Sequence, residues 1–248
     1  EIYSASGRQN SPLVRPWTHD KDYKEYIDSK QWHEVYDSFV DATTPVSVAK
    51  KILGDKYPFA PGEAQDVSLA VYKVVAGCAA MAIPADASKY MTIEEYNALW
   101  SIENLHHYLT HSASTLSQAP MDMASALLTD MMETMDQAVK GSNEYAVMLR
   151  FGHAETMMPL LALMRLPGCY YMTNYFDTVG LHWRDFHVVP MASNLQMFLF
   201  KSKSGRYYVR VDLNEVPVPL IPGRSDLYTP WEKAKEYMTR CLPLYLQP

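Results

Sequence analysis

Hydrophobic residues in this chain follow two patterns, and the change comes near residue 141. From Lys21 to Val139 almost nothing alternates. Apolar residues return every three or four positions, the spacing of one helix face, and helices are predicted at 21–40, 45–53, 63–80, 92–110 and 121–139. Thr92 with Glu95 three residues on makes a capping box for the fourth helix. Leu127, Met131, Met135 and Val139 give the fifth a buried stripe, and Gly141 stops it. Its methionines, Met121, Met123, Met131, Met132 and Met135, read as core filler. Ahead of this block, residues 1–20 hold Gly7, Asn10, Pro12 and Pro16 and read as a loop.

Beyond Glu144 the pattern is mixed. An apolar strand is predicted over 145–151, then the turn Gly152-His153-Ala154-Glu155, then a helix to about Arg165 ended by Leu166-Pro167-Gly168. An aromatic-rich loop runs to about Val188. Leu195–Lys201 and Tyr207–Leu213 alternate around Ser202-Lys203-Ser204-Gly205, a hairpin, and a last helix is predicted near 230–240. The fold class is therefore α/β, in three parts: an opening loop (1–20), an all-α unit (21–140) and an α/β unit (141–248).

Composition narrows the function. A length of 248 residues, 48% of them hydrophobic, is enough for a sizeable core, and the net charge of −6 offers nucleic acid no broad basic face. No apolar run approaches the roughly 20 residues that cross a bilayer. Cys78, Cys169 and Cys241 are widely spaced; their number permits one disulfide but gives no Cys-x-x-Cys metal motif. No cofactor or metal requirement is read from the sequence.

The chemistry concentrates at His153 and Glu155. They lie where a strand runs into a helix, a usual place for ligands in α/β sheets. First-turn amides and the helix dipole favour an anion there. A histidine can donate to a phosphoryl oxygen, and a glutamate can give a proton to a departing alkoxide. A bound phosphate beside the acid works against its ionisation. Thr156 either caps this helix or also faces the phosphate. Arg150, just upstream, either clamps phosphate or pairs with an acid. His106, His107 and His111 cluster at a helix end; His107 and His111 have the i, i+4 spacing of a zinc pair but no acid between them, and a phosphate contact from His107 is the preferred reading. Lys50 and Lys51, with Lys56 and Lys73, form the densest basic group, either lining a polyanion pocket or solvating a helix face. Arg8, Arg15, His182, Arg184 and His187 are weaker rim residues, and Asn194 reads as a turn asparagine.

Phe151-Gly152-His153-Ala154-Glu155-Thr156, followed by Pro159-Leu160-Leu161-Ala162-Leu163-Met164, resembles the proton-donor motif of the multiple inositol polyphosphate phosphatases, the His-Ala-Glu branch of the histidine acid phosphatases. Val189-Pro190-Met191-Ala192-Ser193-Asn194 and Leu213-Asn214-Glu215 resemble two further segments of that family. The resemblance implies a mixed-sheet core with an inserted helical cap and substrate between them. It gives Glu155 the leaving-group proton and His153 an oxyanion contact. It further implies inositol polyphosphate (phytate-type) substrates, a phosphohistidine intermediate, no cofactor, and a secreted, periplasmic or cell-surface location. The family's Arg-His-Gly nucleophile motif has no counterpart among the eight histidines here. The expectation is a chain that starts downstream of that motif, has a core incomplete at its amino end, is inactive alone, and has the amino-terminal segment as a partner. The alternatives are a non-catalytic phosphate-ester-binding fragment or pseudo-enzyme, and a helical interaction module.

Overall fold

The structure, a computed structural model, describes residues 12–142 and 145–247, so Arg8 lies outside the described residues. The first block is helical: α1 (Lys21–Ile27), α2 (Lys30–Thr43), α3 (Ser47–Leu53), α4 (Glu63–Ala80), α5 (Ile93–His111), α6 (Ala119–Asp122) and α7 (Ser125–Lys140). Two predicted helices are each divided. The first breaks at Asp28-Ser29, where the Trp32 indole donates to the Ile27 carbonyl at 2.9 Å and takes over the end of α1. The last breaks at Met123-Ala124, where the Ser125 hydroxyl donates to the Asp122 carbonyl at 2.6 Å. In both cases a side chain satisfies a carbonyl left by a helix end, so the chain can turn without leaving a buried acceptor unpaired. The capping box on α5 forms in both directions, with 3.2 Å from the Glu95 amide to Thr92 and 2.8 Å from the Thr92 amide to the Glu95 carboxylate.

The second block carries α8 (Ala154–Leu163), α9 (Val179–His182), α10 (Asp185–Val188) and α11 (Trp231–Cys241). Its sheet joins β1 (Leu195–Lys201), β2 (Tyr207–Leu213), β3 (Val216–Val218) and β4 (Thr229–Pro230), and every pairing is antiparallel. The β1–β2 hairpin runs in register from Leu195 opposite Leu213 to Lys201 opposite Tyr207. Asn214 and Glu215 turn the chain into β3 with positive φ angles of 50° and 67°. Val209, Val211 and Leu213 line the buried face of β2, in one core with Trp231, Ala234 and Met238 of α11.

Residues 145–151, expected as a strand, are irregular and, apart from half-buried Arg150, exposed. Val147 and Leu149 are each 69% exposed and Phe151 is 84% exposed. A strand exists by hydrogen bonding to a neighbour, and no described strand pairs with this segment. Arg150 ties it instead to α7.

Two hydrophobic clusters hold the molecule. The larger runs from Tyr26 and Trp32 through the second half of α5, α6, α7 and α8 to the sheet and α11. The smaller joins Val48, Tyr72, Val75, Met91, Leu99 and Ile102, and so unites α3, α4 and the first half of α5. Helix α5 belongs to both. The methionines Met121, Met132 and Met135 are buried in the larger cluster, and Met123 is buried as well. All three cysteines are free, so the disulfide that the count permitted does not form. Among the described residues no helix is long and apolar enough to cross a membrane.

Candidate phosphate-ester site at the start of helix α8

His153 is the N-cap residue of α8 in extended backbone, and Ala154 and Glu155 form its first turn. Thr156 and Met157 make the first helical bonds, to the His153 carbonyl at 3.0 and 3.1 Å. Pro159 lies inside α8 and has no amide hydrogen for the Glu155 carbonyl. His153 is exposed, Glu155 is half-buried, and Thr156 is only 3% exposed.

Thr156 holds the turn together. Its hydroxyl oxygen accepts from the His153 amide at 3.1 Å and donates to the Val14 carbonyl at 2.5 Å. The side chain therefore caps the helix and clasps the segment before α1, which leaves its hydroxyl proton with no part in binding an anion. Trp17, in the 3-10 turn Pro16–Thr18, meets the His153 ring edge-on at 5.7 Å. The opening segment thus lies across the amino end of α8.

Tyr23 follows on α1. Burial first, and then the charge of Glu155, push its phenol above the ordinary value. Its hydroxyl lies 3.4 Å from Nε2 of His111. The Thr110 hydroxyl donates to the His106 carbonyl at 2.6 Å, so it can only accept, at 2.8 Å, from Nδ1–H of His111. Nε2 of His111 is then the acceptor for the Tyr23 hydroxyl. Burial pulls the His111 pKa down to about 3, in keeping with this neutral tautomer.

The other residues singled out in the sequence disperse. Arg150 donates to Asp130 at 2.6 Å and to the Thr134 hydroxyl at 2.7 Å, the acid-pairing alternative rather than a clamp. Lys51 pairs with Glu95 at 2.7 Å, and Lys73 with Glu103 at 3.0 Å. Glu95 and His111 stand at opposite ends of α5, sixteen residues or about 24 Å apart along its axis. Lys51 is thereby placed well away from the Tyr23–Glu155 end, and exposed Lys50 sits beside it on α3. His106 is enclosed by Trp32 and Tyr36, at ring distances of 5.6 and 5.5 Å. His182 stacks on Tyr171, and Arg184 donates to the Gly180 carbonyl. Asn194 accepts from the Gln196 amide at 2.8 Å.

His107 is different. Its Nδ1–H donates at 2.9 Å to Asp185, a residue the sequence did not single out. Asp185 also accepts from the Trp100 indole at 3.1 Å and the Phe186 amide at 2.7 Å, while its own amide donates to Asn104 at 2.8 Å. Burial raises the Asp185 pKa, but the bonds from His107 and Trp100 outweigh it and hold the carboxyl below its usual range. The partner lies 78 residues away, beyond any local pattern. A signal existed on α5 itself: Trp100, Asn104 and His107 stand at i, i+4, i+7, a polar row on one helix face that needs acceptors opposite.

Residues 21–214 match the family model of the histidine phosphatase superfamily, branch 2. Multiple inositol polyphosphate phosphatase 1 of Dictyostelium discoideum is 34% identical over 93 residues, 35% of this chain and 14% of that protein. The Homo sapiens protein of the same name is 34% identical over 109 residues, 38% of this chain and 22% of its own length. The matched stretches therefore span less than a quarter of these curated relatives. The crystal structure of Bifidobacterium longum multiple inositol polyphosphate phosphatase in complex with inositol hexasulfate superposes with a TM-score of 0.63 at 19% identity, covering 97% of this chain and 60% of that one. At that identity the likeness establishes the fold. Since the family model runs through most of its length, the chain belongs to branch 2 of the histidine phosphatase superfamily.

Proposed function

We propose that this chain contributes the leaving-group acid and the substrate-enclosing helical block of a phosphatase acting on inositol polyphosphates. The observation that carries the reading is the placement of His153 and Glu155 at the amino end of α8, with the opening segment packed beside them. Both relatives and the structural neighbour are inositol polyphosphate phosphatases, which supports the substrate class.

In this reading a phosphate ester lies against the exposed His153 and the first-turn amides. The bond between phosphorus and the ester oxygen breaks as the nucleophile bonds to phosphorus, and Glu155 passes its proton to the departing alkoxide. The acceptor is a histidine of an Arg-His-Gly segment outside these 248 residues, giving a phosphohistidine. His153 donates to the phosphoryl oxygens as negative charge gathers there. None of the eight histidines stands after an arginine, so the 248-residue chain by itself turns nothing over; this also favours a second reading, a phosphate-ester-binding protein without catalysis.

The test is Glu155→Gln, assayed in the protein with the nucleophile segment present. Hydrolysis of inositol phosphates falls about 10²-fold or more, the scale of a lost general acid. Aryl phosphates, whose leaving groups depart without protonation, lose far less. Equal losses on both substrates would remove Glu155 from the acid's role, and the absence of turnover in the parent would favour the binding protein.

A further inference from the structure

His107 and His111 occupy successive turns of one face of α5, about 6 Å apart along its axis. His111 meets Tyr23 on α1, and the turn just before α1 carries Trp17, which meets the His153 ring. His107 is therefore one turn beyond the residues that border the phosphate-ester site. Of the three clustered histidines, His111 is buried and His106 is half-buried under Trp32 and Tyr36, and burial pushes both below the ordinary imidazole value. His107 keeps about a third of its side chain, 36%, open to solvent.

Its orientation is fixed. Nδ1–H is committed to Asp185, so Nε2, on the far edge of the ring, is the nitrogen free to meet a ligand. Asp185 is itself held by Trp100 and by the Phe186 amide, and its side chain is 16% exposed. A carboxylate-backed imidazole presented in this way binds phosphate when the ring carries both protons: one N–H holds Asp185 and the other points outward.

We propose that Asp185 positions His107 as the donor to a second phosphate group, one turn of α5 away from the group that meets His153 and Glu155. The pair then selects ligands carrying several phosphates over simple monoesters. This rests on the reading of α8 as the phosphate-ester site and adds to it a specificity element.

The alternative is a pin that merely fastens α10 to α5, and two substitutions separate the roles. In His107→Asn the amide nitrogen replaces Nδ1, so the bond to Asp185 survives while Nε2 is lost. In His107→Gln the amide nitrogen stands nearer Nε2, and the bond to Asp185 is lost. The probes are inositol hexakisphosphate and inorganic phosphate, titrated by calorimetry into the full chain, with melting temperatures recorded in parallel. His107→Asn keeps its melting temperature and its affinity for inorganic phosphate but binds the hexakisphosphate about tenfold or more weakly, the scale of one hydrogen bond to a charged group. His107→Gln loses affinity and melting temperature together. In the unmodified chain, the His107 imidazole resonances shift on titration with the hexakisphosphate. If His107→Asn binds the hexakisphosphate as tightly as the parent, or the imidazole resonances stay still, His107 is a structural pin. If the parent binds neither probe, the α8 reading falls with it.

Discussion

Gly152 is the residue on which the α8 turn depends most closely. A Cβ built at this position would stand 2.7 Å from the Thr156 hydroxyl oxygen, 3.1 Å from its Cβ and 3.2 Å from its methyl. That side chain cannot swing aside, because it is buried and bonded to both His153 and Val14. The glycine serves close approach here, and its φ lies outside the left-handed range. Gly152→Ala is expected to cost about 1–3 kcal/mol, the range of overpacking, read from the midpoint of urea unfolding. Thr156→Ala alone loses two hydrogen bonds. Combined with Gly152→Ala it also removes two of the three crowding atoms, the hydroxyl oxygen and the methyl, so the double variant should be more stable than the two single losses predict. Strict additivity would mean that the strain of Gly152→Ala is taken up elsewhere.

At the scale of elements, α1 and α6 bring like charges together. Burial first, and Asp20 and Asp22 second, push the Asp122 carboxyl up to about 6. In the unfolded chain an aspartate ionises near pH 4. The folded state thus holds this proton more tightly, so the contribution to stability is complete below about pH 4 and is lost as the pH rises through about 6. Asp122→Asn should melt higher than the parent at pH 7.5, with the difference vanishing toward pH 4. A gain of the same size at both pH values would assign it to something other than this ionisation. Elements set by local pattern were legible in the sequence: α4 matches its predicted range of 63–80, the capping box opens α5, and the β1–β2 hairpin holds its register. What was not legible depends on distant partners. The segment 145–151 has the composition of a strand, but no described strand lies beside it in a sheet, and composition cannot supply one. Arg150 found its acid on α7, a choice that depends on how two elements pack. At the site, His153 and Glu155 stood out through the Gly152-His153-Ala154-Glu155 turn that opens α8, although the strand predicted before it is not formed. Val14 holds Thr156, Trp17 meets His153, Tyr23 meets His111 and Asp185 holds His107, all through contacts that no spacing announces.

The whole molecule exposes 14633 Å² of surface at a mass of 28.3 kDa. Compact monomers of that mass expose about 11,200 Å². Part of the excess is apolar, since Val147, Met148, Leu149 and Phe151 are all exposed in one short segment that no described strand pairs with. Such a segment holds apolar side chains outside any described sheet, where they can recruit a strand from another chain. The net charge of −6 opposes association only weakly at physiological salt, where the Debye length is about 8 Å. The purified 248-residue chain is therefore expected to self-associate at micromolar concentration, with a mass that rises with concentration in sedimentation velocity. Replacing Val147 and Leu149 together by lysine should shift it toward monomer. Both side chains are 69% exposed, so the substitution should move the unfolding free energy by no more than about 0.5 kcal/mol per site. A parent chain that stays monomeric at every concentration would show that the exposed run is not a docking edge. A double-lysine chain that associates as strongly as the parent would place the contact on another surface.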